Sequence, residues 1–301
     1  MSNRKHSNGE LIYRKCASQH FGLWMIQETW FQGAVAAFNA GILVPKSQSD
    51  DEEDDTESLF DLLPNGIARI AINGYMSKGQ NSFGGTSTVG VRNALRMAAG
   101  DERCRAMMLH VDSPGGITQG TAELAADVIA ANKIKPVYAH VEGNGCSAAY
   151  YAIAGCRRIT ANASSTIGSI GTYMVLTDSS KQAKAQGVKV TAVSSGPLKG
   201  QGIPGTELSD AYIAQQQEIV DGLTQQFVNH INECRDMELI PGKGAANGGY
   251  WLADKAQEMS LIDDVCSFED AYGQICKDIM PPEPTRLTAA KSRMQSQRAK
   301  L

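Results

Sequence analysis

The sequence predicts an α/β protein of repeated βα units, with a mostly parallel sheet flanked by helices. Three observations carry this prediction. From residue 67 onward, short apolar runs of strand length alternate with longer runs of helical period. Glycine-rich turns stand between several of these runs. An acidic stretch, SQSDDEEDDTES, separates the alternating part from an N-terminal segment of different character.

The elements follow in order. IARIAI (67–72) reads as a strand, VGVRNALRMAA (89–99) as a helix and MMLHVD (107–112) as a buried strand. TAELAADVIAAN (121–132) is a helix, PVYAHVE (136–142) a strand, SAAYYAIA (147–154) a helix and RRITA (157–161) a strand. Repeated βα units favour parallel strands covered by helices. Further on, VKVTAVS (188–194) reads as a strand and residues 208–234 as a long helix. Tyr212, Ile219, Leu223, Phe227 and Ile231 form its apolar face.

Four regions are expected. Residues 1–46 form an N-terminal helical segment, because Trp24, Ile26, Trp30, Phe31, Val35 and Phe38 recur at roughly helical spacing. Residues 47–58 carry seven acidic side chains and no apolar anchor, so they read as a disordered linker. Residues 59–280 hold the α/β domain. Residues 281–301 open with prolines and then carry five basic residues, which reads as the start of an extension.

Composition excludes several classes. With 42% hydrophobic and 20% charged residues in 301, the chain reads as a soluble globular protein. Its net charge of -4 supplies no basic field for nucleic acid. Seven scattered cysteines, none in a CxxC or zinc-ligand spacing, fit a reducing compartment and no metal site. The apolar N-terminal run is interrupted by Gln27, Glu28, Gln32 and Asn39, so no membrane span or secretory signal is expected.

Two turns carry the chemistry. HVDSPGGITQG lies between the strand ending near Asp112 and the next helix, and EGNGCSAAYY lies before the helix that follows Ser147. In an open parallel sheet both emerge beyond the carboxyl ends of the strands, which makes them neighbours. Gly115 and Gly116 serve either a tight βα loop or an oxyanion hole, where backbone N–H groups stabilise charge on a carbonyl under attack. Ser147 is either a helix N-cap or a nucleophile. Cys146 beside it is expected to be packed.

A nucleophilic serine needs a proton acceptor. His6 and His20 precede the acidic stretch, His110 and His140 fall in expected strands and His230 lies inside the long helix. None sits in a turn beyond a strand end, so a Ser/His/Asp triad has little support. Lys199 lies in SSGPLKGQGIPG, expected to leave the sheet at its carboxyl edge, with no acidic residue between Asp178 and Glu207. Burial without a counter-ion favours a neutral amine, which can take the serine proton.

The ordered set NGIARIAING, HVDSPGG, GNGCSAAYYAIAG, STIGSIG and SSGPLKG resembles the signal peptide peptidase A family of serine/lysine proteases, within the ClpP/crotonase superfamily. The resemblance covers about residues 65–278, including GYWLADKAQEMSLIDDV, which is similar to the family's closing helix and strand. It implies a ClpP/crotonase-like fold, Ser147 as nucleophile, Lys199 as general base and Ser169 as a hydroxyl that orients the lysine. Gly115 and Gly116 match the oxyanion turn, with the Ser147 N–H as second donor. Peptide is expected to lie extended along Ser113, Pro114, Gly168 and Ile170, by strand addition. No metal or other cofactor is implied, and a homo-oligomer is.

Within that family the chain is most similar to capsid-maturation proteases of lambda-type tailed phages. This implies scaffold, capsid or portal polypeptides as substrates, and a soluble enzyme in the host cytoplasm, inside the prohead. Alternatives are a cellular signal-peptide-peptidase-like protease, a non-catalytic capsid-assembly protein and a crotonase-like acyl-CoA enzyme.

Overall fold

The computed structural model describes residues 24–27, 59–79 and 85–280. Its strands are β1 (Trp24–Ile26), β2 (Asp61–Leu63), β3 (Ile67–Asn73), β4 (Met76–Ser77), β5 (Thr86–Ser87), β6 (Ala106–Ser113), β7 (Gly115–Ile117), β8 (Val137–Cys146), β9 (Arg158–Ala161), β10 (Thr166–Gly168), β11 (Tyr250–Leu252) and β12 (Asp264–Val265). The helices are α1 (Thr88–Gly100), α2 (Thr121–Ile134), α3 (Ala148–Ile153), α4 (Ser180–Ala185), α5 (Asp210–Arg235), α6 (Ala253–Glu258) and α7 (Phe268–Ile279).

The larger sheet runs β11-β10-β8-β6-β3-β2, with β9 also on β8 and β12 on β9. Strands β3, β6, β8, β9, β10 and β12 pair in parallel, while β2 and β11 are antiparallel to their neighbours. This is the α/β class expected from the alternating pattern. The period of two splits the side chains between the sheet's faces. In β6, Met107, Leu109 and Val111 enter the main core, and Ala106 and Met108 face the smaller cluster made with Ala271 and Ile275 of α7. Both faces are covered, as parallel strands require. Burying one such leucine contributes about 1.5–3 kcal/mol.

Serines begin three of the helices. Ser87 Oγ accepts from the Gly90 N–H, Ser209 Oγ from the Tyr212 N–H and Ser267 Oγ from the Asp270 N–H, so each satisfies a donor that the first turn leaves open. Helix α5 buries only Phe227, Val228 and Ile231, near its C-terminal end. Ile213 and Ile219 on its first half are exposed. Among the described residues, the apolar stripe is therefore buried only toward its C-terminal half.

Two expected elements differ. Residues 188–194 form no strand: they lie in irregular, mostly exposed chain, with Val193 97% exposed. Strand propensity needs a ladder partner, and the edge beside β10 is occupied by β11. Residues 24–26, expected within a helical segment, form β1 instead. This strand pairs antiparallel with β7 in a second small sheet of order β1-β7-β4-β5. Ladder bonds to an open edge outweigh a helical period over so few residues. The rest of the expected N-terminal helix, the 47–58 linker and the basic tail lie outside the described residues, as do His6, His20 and Cys16.

Candidate active site

The carboxyl ends of β6, β8 and β10 lie side by side, because Ser113 pairs with Gly145 and Gly168 with Cys146. That register brings together most of the candidate residues: Ser113, Pro114, Gly115 and Gly116 after β6, Ser147 after β8, and Gly168 and Ser169 after β10. All are buried.

Ser147 is held in an uncommon conformation, φ 54° and ψ -119°, between β8 and α3. Such backbone costs a non-glycine residue about 1–3 kcal/mol and is kept only where its surroundings impose it. They do so here. The Ser147 N–H donates to the Gly168 carbonyl at 2.8 Å, and the Ser147 carbonyl accepts from the Tyr151 N–H at 2.9 Å. Helix α3, buried at every position, is anchored by the Tyr150 hydroxyl on the Leu261 carbonyl at 2.7 Å and by Tyr151 stacked on His230 at 4.2 Å.

The Ser147 side chain caps nothing. Its Oγ is buried and has no hydrogen-bond partner. That removes the N-cap reading and leaves a hydroxyl with unused capacity. Cys146 is packed, as expected: its thiol donates to the Thr166 carbonyl at 3.4 Å, and burial pushes its pKa up to about 12. A thiol so held is a poor nucleophile.

The glycine turn faces this serine. Gly115 has φ 102°, and a Cβ there would touch Ser147 Cβ at 2.9 Å and the Ala148 nitrogen at 3.0 Å, besides overlapping the Met25 carbonyl. Only glycine lets the turn approach so closely. The Gly115 N–H reaches Ser113 Oγ at 3.2 Å, and that hydroxyl donates to the Gly74 carbonyl at 2.6 Å. The Ser147 N–H, expected as second oxyanion donor, is taken by the Gly168 carbonyl, while the Ala148 nitrogen is the next backbone nitrogen toward the Gly115 turn.

Ser169, at φ 53°, donates its N–H to the Gly249 carbonyl at 2.6 Å. Gly168 before it packs under the Trp251 ring. Ile170 is fully buried in the main core, so what it can offer an extended peptide is backbone. Lys199 is not brought to Ser147. It is exposed and lines a surface hollow with Lys184, Val190 and Glu207, because the strand expected to carry it to the sheet edge does not form.

No described histidine bonds Ser147 Oγ. His110 meets Glu142 at 2.5 Å, buried His140 lies between Thr160 and Asn162, and His230 meets the Tyr151 carbonyl. Among the described residues no cluster of His, Cys, Asp and Glu could hold a metal ion, and no helix is long and apolar enough to cross a membrane.

One group escaped the sequence reading. Asp112 Oδ1 accepts from the Asn144 N–H at 2.9 Å and from its side-chain amide at 3.2 Å, while Asn144 Oδ1 accepts from the Thr166 hydroxyl at 2.8 Å. This chain ties the ends of β6, β8 and β10 together where the β6/β8 register shifts. Gly143 permits it, since a Cβ there would overlap the Asp112 carboxylate. Both polar residues stand inside the two turn motifs, but neither motif shows that they meet.

A serine on a strained strand-to-helix turn faces a glycine turn at the carboxyl edge of a mostly parallel sheet, which defines the class as an α/β protein with a serine at a strand-to-helix turn. Residues 129–279 match the model of Peptidase family S49, and the chain belongs to that family. It is 30% identical over 175 residues to a protein of Methanocaldococcus jannaschii assigned as a protease, covering 58% of this chain and 56% of that one. It is 27% identical to an Enterococcus faecium protein assigned as a signal peptide peptidase, over 70% of this chain and 63% of that one. With the capsid assembly protease C of Escherichia phage lambda the identity is 26%, over 77% of this chain and 54% of the relative. The chain thus spans between 54% and 63% of the length of these relatives.

Proposed function

We propose that the chain is a serine endopeptidase that cleaves polypeptides by acyl transfer, with Ser147 as nucleophile and Lys199 as general base. The observation that carries the reading is the buried Ser147 hydroxyl, unpartnered, on a strained turn against Gly115. The amine of Lys199 takes the Ser147 proton as Oγ attacks a peptide carbonyl, and Ser169 orients that amine. The carbonyl oxygen becomes an oxyanion held by N–H groups of the Gly115 and Gly116 turn and of Ala148, the Gly115 N–H exchanging its bond to Ser113 Oγ for one to the oxyanion. The tetrahedral intermediate collapses, the C–N bond breaks, and the lysine returns the proton to the departing amine. Water then attacks the acyl-serine by the same route and releases the acid. Substrate lies extended against the Ser113 to Gly116 turn and Gly168. Lys199 comes to Ser147 by a rearrangement of its exposed segment or from a second copy in a homo-oligomer.

For substrates, the proposal is the scaffold, capsid or portal polypeptides of a phage prohead, with the enzyme soluble in the host cytoplasm and enclosed during assembly. Similarity to a capsid assembly protease over 77% of the chain supports this. Similarity to the Enterococcus faecium protein supports a second reading, a cellular signal-peptide-peptidase-like protease.

The test is cleavage of an unfolded polypeptide by the purified protein and by Ser147→Ala and Lys199→Ala. Both substitutions should abolish it, and equal cleavage by Ser147→Ala rejects the assignment. Mixing the two variants separates the routes for the lysine: activity returns if the two groups come from different copies and stays absent if they come from one.

A further inference from the structure

The strand β7 has two edges. One is taken by β4, paired in parallel at Met76 and Gly116, so tightly that a Cβ at Gly116 would overlap the Met76 backbone. The other is the edge along which an added extended chain can pair. It is already filled. Strand β1 lies antiparallel on it, with Met25 opposite Gly116 and Ile26 opposite Gly115, and the Gln27 N–H donates to the Pro114 carbonyl at 2.8 Å.

This segment is also close to the nucleophile. The position that a Cβ on Gly115 would take lies against the Met25 carbonyl oxygen, Ser147 Cβ and the Ala148 nitrogen together. Met25, Ile26 and Gln27 are 4%, 2% and 6% exposed, and Met25 belongs to the main core cluster. An extended chain with two successive apolar side chains therefore sits across the turn that faces Ser147.

We propose that residues 24–27 are a built-in substrate mimic: they hold the strand position on β7 that a substrate takes, and the site opens when they leave. The inference rests on the proposed peptidase reading and deepens it in two ways. It gives the substrate class as an extended polypeptide whose apolar side chains fill the seats of Met25 and Ile26. It also makes release of the chain's own segment the step that controls access. A tethered segment competes as a high local concentration of ligand, which a free peptide must overcome.

Peptide binding without chemistry tests this. The full chain carrying Ser147→Ala is compared with the same chain also carrying Met25→Asp, which charges a buried seat, or Gln27→Pro, which removes one donor and keeps both apolar side chains. The probe is a fluorescein-labelled peptide with the sequence of residues 23–28, LWMIQE, followed by anisotropy. Both added substitutions should tighten binding about tenfold or more, because they raise the fraction of chains with an open edge. If Met25→Asp fails to fold by circular dichroism, Gln27→Pro decides alone. Equal affinity in folded chains, or no binding in any of them, overturns the proposal. Failure of the peptidase reading shows differently: Ser147→Ala would still cleave polypeptides while the binding shift persists.

Discussion

The Ser147 amide is pinned to the Gly168 carbonyl at 2.8 Å, which couples the serine turn to the strand carrying Ser169. The bond continues the parallel β8/β10 pairing one residue beyond Cys146. It fixes the serine backbone and leaves its hydroxyl uncommitted.

Ser147→Ala should lower polypeptide cleavage by about 10⁴-fold or more, as loss of a nucleophile does. Ser147→Gly should be equally inactive and yet more stable, by about 1 kcal/mol, since glycine accepts positive φ without strain. Urea unfolding of the three proteins checks it. A glycine variant less stable than the alanine variant would mean that the turn is not strained.

Gly168→Ala should destabilise the fold by about 1–3 kcal/mol. Its φ is +121°, and the added methyl would meet the Trp251 ring at 2.7 Å and 2.8 Å and the Gly249 carbonyl at 3.0 Å. The expected result is a lower melting temperature with activity lost, because the strand that holds Ser147 must shift.

Through its bonds to Asn144, Asp112 is expected to act as a positioning residue. Asp112→Ala should cut kcat about ten- to a hundredfold with KM little changed, because the Asn144 bulge loses the acceptor that sets the Ser147 turn. Asp112→Asn keeps an acceptor oxygen and should restore part of the loss. Equal kinetics for Asp112→Ala and the parent would show that the network only supports the fold.

Stability should fall with acid through the buried histidines. Burial holds the His140 and His230 pKa values below the usual one, against the opposing hydrogen bonds with Asn162 and the Tyr151 carbonyl. Each binds a proton more readily once the chain unfolds. Their contribution is therefore complete above about pH 6.5 and is lost as pH falls toward the depressed folded-state values. Unfolding free energies measured from pH 8 to 5 should show this slope, and His140→Gln should flatten it.

Much of the fold was legible because neighbours in sequence decide it. Residues 67–72 and 107–112 are short apolar runs of strand length and 121–132 a longer apolar run of helix length, and all three became the expected elements. The glycines beside Ser147 were legible for a similar reason, since close backbone approach is a local demand with few solutions.

What the sequence by itself determined is the order of strands and helices and the two turns that carry Gly115 and Ser147. The tertiary structure alone decided which edges were taken. It left residues 188–194 without a ladder partner and Lys199 exposed, seated residues 24–26 on β7, and joined Asp112, Asn144 and Thr166. The physical reason is that periodicity reports which face of a segment is apolar, whereas pairing and hydrogen bonding depend on which distant segment reaches an open edge first in free energy.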